Sequence, residues 1–365
     1  MRDPFGIVER VEPDARRRAI VAEAQDRLGK VRRRNGIVEF RPKLQDRLFG
    51  PIGGGRRIGL RGIGHTAIWG AMTDRRNPPR AGAWQDDFWW SNDGLRLHFR
   101  DYAGRADRPP ILCLHGLTRN ARDFEGVAAR LSGDWRVIVP EMRGRGESAY
   151  ARDPMTYVPL TYLQDIDALL GYLQLDRVIL IGTSMGGILT MLLAATERGR
   201  VAGALLNDVG PELSPAGLGR IRSYVGRQLW HPTWMHAARS LAEAHADTYP
   251  TYDIADWLVM AKRLYRLNSS GRILLDYDMK IAEPFRVPGN EAGPDMWPAL
   301  DALRGKPVAL VRGDRSDILS AEVAGRMAER LPEAELVTVA HTGHAPTLEE
   351  PEAAAAIDRL LARLA

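Results

Sequence analysis

The sequence has one cysteine, Cys113, among 365 residues, so no disulfide framework can staple the chain. Long apolar runs are missing as well. Stretches such as Met191 to Ala195 fall far short of the roughly 20 residues that a membrane span needs. No apolar stretch follows Met1-Arg2-Asp3-Pro4-Phe5, so no secretory leader is expected and the expected location is cytoplasmic. Histidine is scarce, with 8 in the chain, and three of them, His231, His236 and His245, stand five and nine apart. That spacing does not place a pair on one helical face, so no metal is expected there. Gly144 and Gly146 stand between arginines, but neither G-x-G-x-x-G nor a Lys-Ser/Thr pair accompanies them, which argues against a nucleotide phosphate loop. Internal repeats are absent too.

Charge is present but unevenly placed. Residues 1–80 hold 19 Lys and Arg against 9 Asp and Glu, a net of +10, while residues 81–365 hold 32 against 37, a net of −5. The runs Arg16-Arg17-Arg18 and Arg32-Arg33-Arg34 carry no interleaved aromatics, no reading-helix motif and no zinc spacing. Residues 1–80 therefore read as a basic, solvated, poorly ordered extension, and neither a nucleic-acid nor a membrane partner is expected.

Beyond it, apolar runs alternate with helical patterns. Leu95, Leu97 and Phe99 alternate with Arg96, His98 and Arg100, as on a half-buried strand. Buried strands are expected at Ile111 to Leu114, Trp135 to Val139, Arg177 to Ile181, Val201 to Leu206, Val308 to Val311 and Glu335 to Val339. Helices are expected between them and a closing one at Ala353 to Leu364. This rhythm predicts an α/β fold with a mostly parallel sheet covered on both faces. From Gly210 to Pro307 the rhythm stops. The stretch shows helical patterns with Trp230, Trp234, Trp257, Tyr265 and Trp297, and no convincing strand. It is too long for a crossover loop, so residues 211–298 are expected to form a helical cap inserted into a core of 81–210 and 299–365.

The chemistry concentrates at Gly182-Thr183-Ser184-Met185-Gly186, which follows an apolar strand and opens a helix. A sharp strand-to-helix turn needs small flanking residues and exposes Ser184 as a nucleophile at a helix N-terminus. His115-Gly116 follows an earlier strand, where the Leu117 amide can join that of Met185 in holding an oxyanion. His115 itself is expected to brace this loop beside the substrate, not to act as base. The base is expected in Gly343-His344, after the last strand, ahead of the neighbouring His341. The carboxylate that orients it is expected in Arg312-Gly313-Asp314-Arg315-Ser316-Asp317, with Asp317 preferred over Asp314 and with Asp208 as an outside candidate.

From about Phe88 to Ala365 the sequence resembles the α/β-hydrolase superfamily. It is most similar to the branch of esterases, lactonases and carbon–carbon hydrolases that carry a helical cap. The likeness rests on His115-Gly116, Arg143-Gly144-Arg145-Gly146-Glu147-Ser148, Gly182-Thr183-Ser184-Met185-Gly186-Gly187, Asp317 and Gly343-His344. It departs from the pattern at Glu141, where many relatives carry Asp, and in the acid loop, where Asp317 lies four residues after Gly313 instead of the commoner three. The resemblance implies a cofactor-free serine hydrolase that cleaves a small ester or lactone through an acyl-enzyme, with Trp230, Trp234 and Trp257 available to line the substrate pocket. Carbon–carbon bond hydrolysis by the same residues, aminopeptidase activity needing cap carboxylates such as Glu212, Glu243 or Glu283, and a non-catalytic binding protein are the alternatives. Dehalogenase or epoxide hydrolase chemistry is disfavoured, because those relatives place Asp where Ser184 stands.

Overall fold

The computed structural model describes residues 82–287 and 295–365; the expected extension 1–80 lies outside the described residues. The strands, in chain order, are β1 (Trp84–Trp90), β2 (Arg96–Tyr102), β3 (Ile111–Leu114), β4 (Val137–Pro140), β5 (Val178–Thr183), β6 (Val201–Asn207), β7 (Trp230–His231), β8 (Tyr265–Leu267), β9 (Ile273–Leu275), β10 (Val308–Gly313) and β11 (Glu335–Val339). Eight of them make one sheet in the order β1-β2-β4-β3-β5-β6-β10-β11. The pairs β1–β2 and β2–β4 are antiparallel and the other pairings in this sheet are parallel.

Single strands show why the sheet is covered twice. All four residues of β3 are buried, yet Leu112 and Leu114 join one apolar cluster while Ile111 and Cys113 join the other. In β5, Leu180 and Ile181 divide in the same way. Successive side chains of a strand point to opposite faces, so a continuous apolar run needs two covering layers. Helices α1 (Glu125–Leu131) and α9 (Pro351–Ala362) bury Val127, Leu131, Ile357 and Leu360 against one face. Helices α2 (Pro159–Tyr172), α3 (Met185–Thr196) and α8 (Ala321–Arg330) bury Ile166, Leu189 and Met327 against the other. Among the described residues no helix is long and apolar enough to cross a membrane.

The segment between β6 and β10 holds α4 (Pro215–Tyr224), α5 (Trp234–His245), α6 (Ile254–Leu264) and α7 (Trp297–Asp301). It is not wholly helical. The short strands β7, β9 and β8 make a three-stranded antiparallel sheet, contrary to the expectation of no strand. Trp297 does not belong with the segment's other aromatics, because α7 packs Trp297, Ala299 and Leu300 into the cluster beneath the main sheet. A separate small core holds Ala237, Leu241, Trp257, Met260 and Tyr265. This segment is fastened to the sheet domain by Arg122, which donates to the Asp276 carboxylate at 2.6 Å and to the Arg263 carbonyl at 3.2 Å. The Tyr249 hydroxyl reaches the Ala345 carbonyl at 2.9 Å from the other side.

One strand residue departs from the half-buried pattern. His98 in β2 is buried between the Glu141 carboxylate and that of Asp86, each 2.9 Å from a ring nitrogen. Burial opposes its cation, but the carboxylates outweigh burial and the His98 pKa is raised.

Candidate active site

Strand register decides which side chains meet. Leu114 of β3 pairs with Gly182 of β5, Thr183 of β5 with Asn207 of β6, and Asn207 with Val311 of β10. The residues just past these ends, His115, Ser184 and Asp208, therefore emerge together at the carboxyl edge of the parallel strands, where open α/β sheets bind ligands.

Ser184 sits in the turn from β5 to α3 with φ 52° and ψ −115°. A non-glycine residue there is strained and has to be held by its surroundings. Its N–H is taken by the Asn207 carbonyl at 3.0 Å, and the packing leaves no room for larger neighbours. A side chain on Gly186 would collide with the Leu114 carbonyl, and one on Gly182 with the Gly186 carbonyl. The glycines at these two positions are therefore required by space, as the motif implies.

His115 is fully buried, and its ring spans the loop that follows β3. Nδ1 lies 2.7 Å from the Gly116 carbonyl, to which it donates, and Nε2 accepts from the Met142 N–H at 3.0 Å. Burial pushes its pKa down to about 4, which keeps the ring neutral, and the Met142 N–H on Nε2 leaves the proton on Nδ1. It braces the loop and is not among the residues that line the cavity. Leu117, two residues on, has its carbonyl held by Arg145 Nε at 2.9 Å. The Leu117 and Met185 amides have no backbone acceptor among the described residues.

His344 Nε2 lies 2.9 Å from Ser184 Oγ, within reach of its proton, while the rival His341 is exposed. The carboxylate behind His344 is not the expected one. Its Nδ1 is 2.7 Å from Asp208 Oδ2. Asp208 is fully buried and also accepts from the Gly313 N–H at 3.0 Å and the Ser316 hydroxyl at 2.6 Å. Asp317 instead forms a two-pronged pair with Arg220 of α4 at the cavity rim, where both side chains are more than one-third exposed. Asp314 accepts the Thr342 N–H and faces away. Ser316, three residues after Gly313, occupies the position where the commoner pattern has its acid, and its hydroxyl donates to the Asp208 carboxylate just past β6. That coupling is the signal in the sequence: a serine at the usual place, and an aspartate directly past the neighbouring strand.

Ser184 and His344 open on a cavity of about 340 Å³. Its far wall comes from the segment between β6 and β10, including Ile221, Leu241, Tyr249, Trp257 and Met260. Trp257 is buried there, edge-on to Tyr252 with centroids 5.2 Å apart. The other two tryptophans expected in the pocket are elsewhere. Trp230 is 51% exposed beneath Arg272, and Trp234 packs on the segment's own small core. Glu212 is tied to Trp297 and Arg326 at the surface, and neither it, Glu243 nor Glu283 lines the cavity. Among the described residues no three His, Cys, Asp or Glu side chains cluster as metal ligands do.

This arrangement is that of the alpha/beta hydrolase family, and the chain belongs to it: the family profile matches residues 111–357. The chain is a hydrolase. It is 34% identical over 265 residues to a 3-hydroxybutyrate-oligomer hydrolase from Cupriavidus necator, an overlap of 70% of this chain and 89% of that one. It is 27% identical to a 2-(acetamidomethylene)succinate hydrolase from Mesorhizobium japonicum, covering 67% of this chain and 84% of the relative. Among solved structures, an alpha/beta hydrolase from Novosphingobium aromaticivorans shares 61% identity with a TM-score of 0.74, covering 77% of this chain and 98% of that one.

Proposed function

We propose that the chain is a serine hydrolase that cleaves carboxylic esters or lactones through an acyl-enzyme. The observation that carries this reading is the unbroken line Ser184 Oγ, His344, Asp208, with contacts of 2.9 and 2.7 Å, facing a cavity large enough for a small ester. Ser184 attacks the carbonyl carbon while its proton passes to His344 Nε2. Asp208 holds Nδ1–H and offsets the charge of the imidazolium. The Leu117 and Met185 amides meet the developing oxyanion, each such donor being worth about 2.7–4 kcal/mol in comparable sites. His344 then protonates the leaving alcohol, and a water deprotonated by the same imidazole releases the acid and restores Ser184.

The likeness to a 3-hydroxybutyrate-oligomer hydrolase supports an ester of a short hydroxy acid as the substrate. The segment between β6 and β10 acts as a cap, with Trp257 and Met260 limiting the acyl length. Carbon–carbon cleavage by the same residues is the second reading, and one comparison separates them. Short p-nitrophenyl esters, 3-hydroxybutyrate oligomers and vinylogous diketone acids are offered to the wild type and to Ser184→Ala. Ester turnover that falls at least about 10³-fold in the variant supports the proposal. Turnover confined to the diketone acids, or esterase activity that survives Ser184→Ala, contradicts it.

A further inference from the structure

Two side-chain donors near the cavity are unused among the described residues. Tyr277 follows β9, is 3% exposed and lines the cavity, yet its hydroxyl donates no hydrogen bond to any of them. The Gly226 amide faces the phenol oxygen, which leaves the O–H proton unused. Its backbone pairs with that of Arg145, whose side chain is fully buried. Arg145 spends Nε on the Leu117 carbonyl and Nη1 on the Arg143 carbonyl and the Tyr162 hydroxyl, and Nη2 has no partner. No carboxylate among the described residues bonds it. In the same segment, Asp276 is engaged by Arg122 and Arg266, and Asp278 by the Tyr157 hydroxyl and the Lys280 amide.

Unsatisfied donors in a dry site are costly, and a buried guanidinium without a bonded anion more so. The arginines lining the cavity are paired: Arg119 with Asp123, Arg220 with Asp317, Arg263 with Glu349. Arg145 has no bonded counter-ion among the described residues, and Tyr277, whose backbone pairs with that of Arg145, lines the cavity. The phenol stays protonated, since burial pushes its pKa up to about 12. His245, which also lines the cavity, has its pKa lowered, first by burial and then by Arg220 and Arg119, with Asp317 opposing.

We propose that Tyr277, backed by the charge of Arg145, holds a carboxylate carried by the substrate, so that the preferred esters are anionic. This rests on reading the cavity as the site of acyl transfer. Mono-p-nitrophenyl glutarate is compared with p-nitrophenyl pentanoate, and 3-butyryloxybutanoate with its methyl ester, so that the carboxylate is placed on the acyl or the alcohol side. The wild type favours the anion of at least one pair in kcat/KM. Tyr277→Phe cuts kcat/KM for that anion by about tenfold or more, as loss of a hydrogen bond to a charged group does, and leaves the neutral partner within about twofold. An anion-to-neutral ratio unchanged by Tyr277→Phe, or no anion preference in the wild type, overturns the inference. Calorimetric binding of glutarate and 3-hydroxybutyrate to the Ser184→Ala chain gives a readout independent of turnover. Tyr277→Phe in that background weakens the binding of at least one of them, and unchanged binding of both is a second refutation. Failure of every ester while this binding difference persists refutes the nucleophile assignment and keeps the subsite.

Discussion

Asp208→Asn keeps the shape of the side chain and removes its charge. Asp208 accepts three hydrogen bonds: from His344 Nδ1, from the Gly313 amide and from the Ser316 hydroxyl. An asparagine oxygen can serve the Gly313 amide, so the loop after β10 stays in place. Its NH₂ then faces His344 and donates to Nδ1, which moves the ring proton to Nε2. Nε2 then donates to Ser184 Oγ and cannot accept its proton. Loss of an orienting carboxylate with this tautomer reversal costs about 10⁴ in kcat. Asp317→Asn removes a pair whose two side chains are 36% and 38% exposed, and such pairs contribute about 0–1 kcal/mol. The assay is kcat and KM for a p-nitrophenyl ester, with thermal midpoints to show that both variants fold. The expected result is a collapse of kcat in Asp208→Asn and a change of about fivefold or less in Asp317→Asn, the rate equivalent of about 1 kcal/mol. Near-normal kcat in Asp208→Asn, or a crippled Asp317→Asn, refutes the reasoning.

The cavity wall makes a sharper statement about tryptophan. Trp257→Ala removes a ring that faces the cavity and shifts the chain-length profile of ester hydrolysis by roughly 1–3 kcal/mol, whereas Trp230→Ala leaves the profile alone; equal effects would contradict the placement of these rings. His98 titrates higher in the fold than the ordinary 6.5, so its stabilising charge is complete below that pH and is lost as pH rises through the folded value. Thermal midpoints therefore fall above pH 6.5 more steeply in the wild type than in His98→Gln. The variant is also less stable by about 3–5 kcal/mol at low pH, because Glu141 loses its buried partner. His115 runs the other way: the unfolded chain takes up a proton near 6.5 and the folded ring only near 4, so roughly 3 kcal/mol of stability fades as pH falls through that window. His115→Phe flattens that acid limb, and an unchanged limb would show that the ring is not the group responsible.

Much of this molecule is legible in its sequence. The parallel strands follow from short apolar runs such as Ile111 to Leu114, and Ser184 from the crowding that only Gly182 and Gly186 permit. The carboxylate behind His344 is not, because its place at the end of the loop after β10 favours Asp317 while register decides the pairing: Thr183 lies beside Asn207, so Asp208 emerges next to Ser184. His98 reads as the outward residue of an alternating strand, since alternation does not reveal that Asp86 and Glu141 close over the outer face. The change to Glu at position 141 is visible and its physical meaning is not, because its partners are a β2 histidine and the Ala121 and Glu147 amides. The small sheet between β6 and β10 escapes notice because strands of two or three residues are shorter than any period they could display. Exposure of Trp230 and burial of Trp257 likewise have no sequence signature apart from the fold.

In the proposed mechanism Ser184 becomes covalently acylated. The direct measurement is mass spectrometry of peptides after the chain reacts with a fluorophosphonate probe, with Ser184→Ala and Asp208→Asn in parallel. One adduct is expected, on the peptide containing Ser184, absent in Ser184→Ala and formed far more slowly in Asp208→Asn. An adduct on another residue, or equal labelling of wild type and Ser184→Ala, contradicts it.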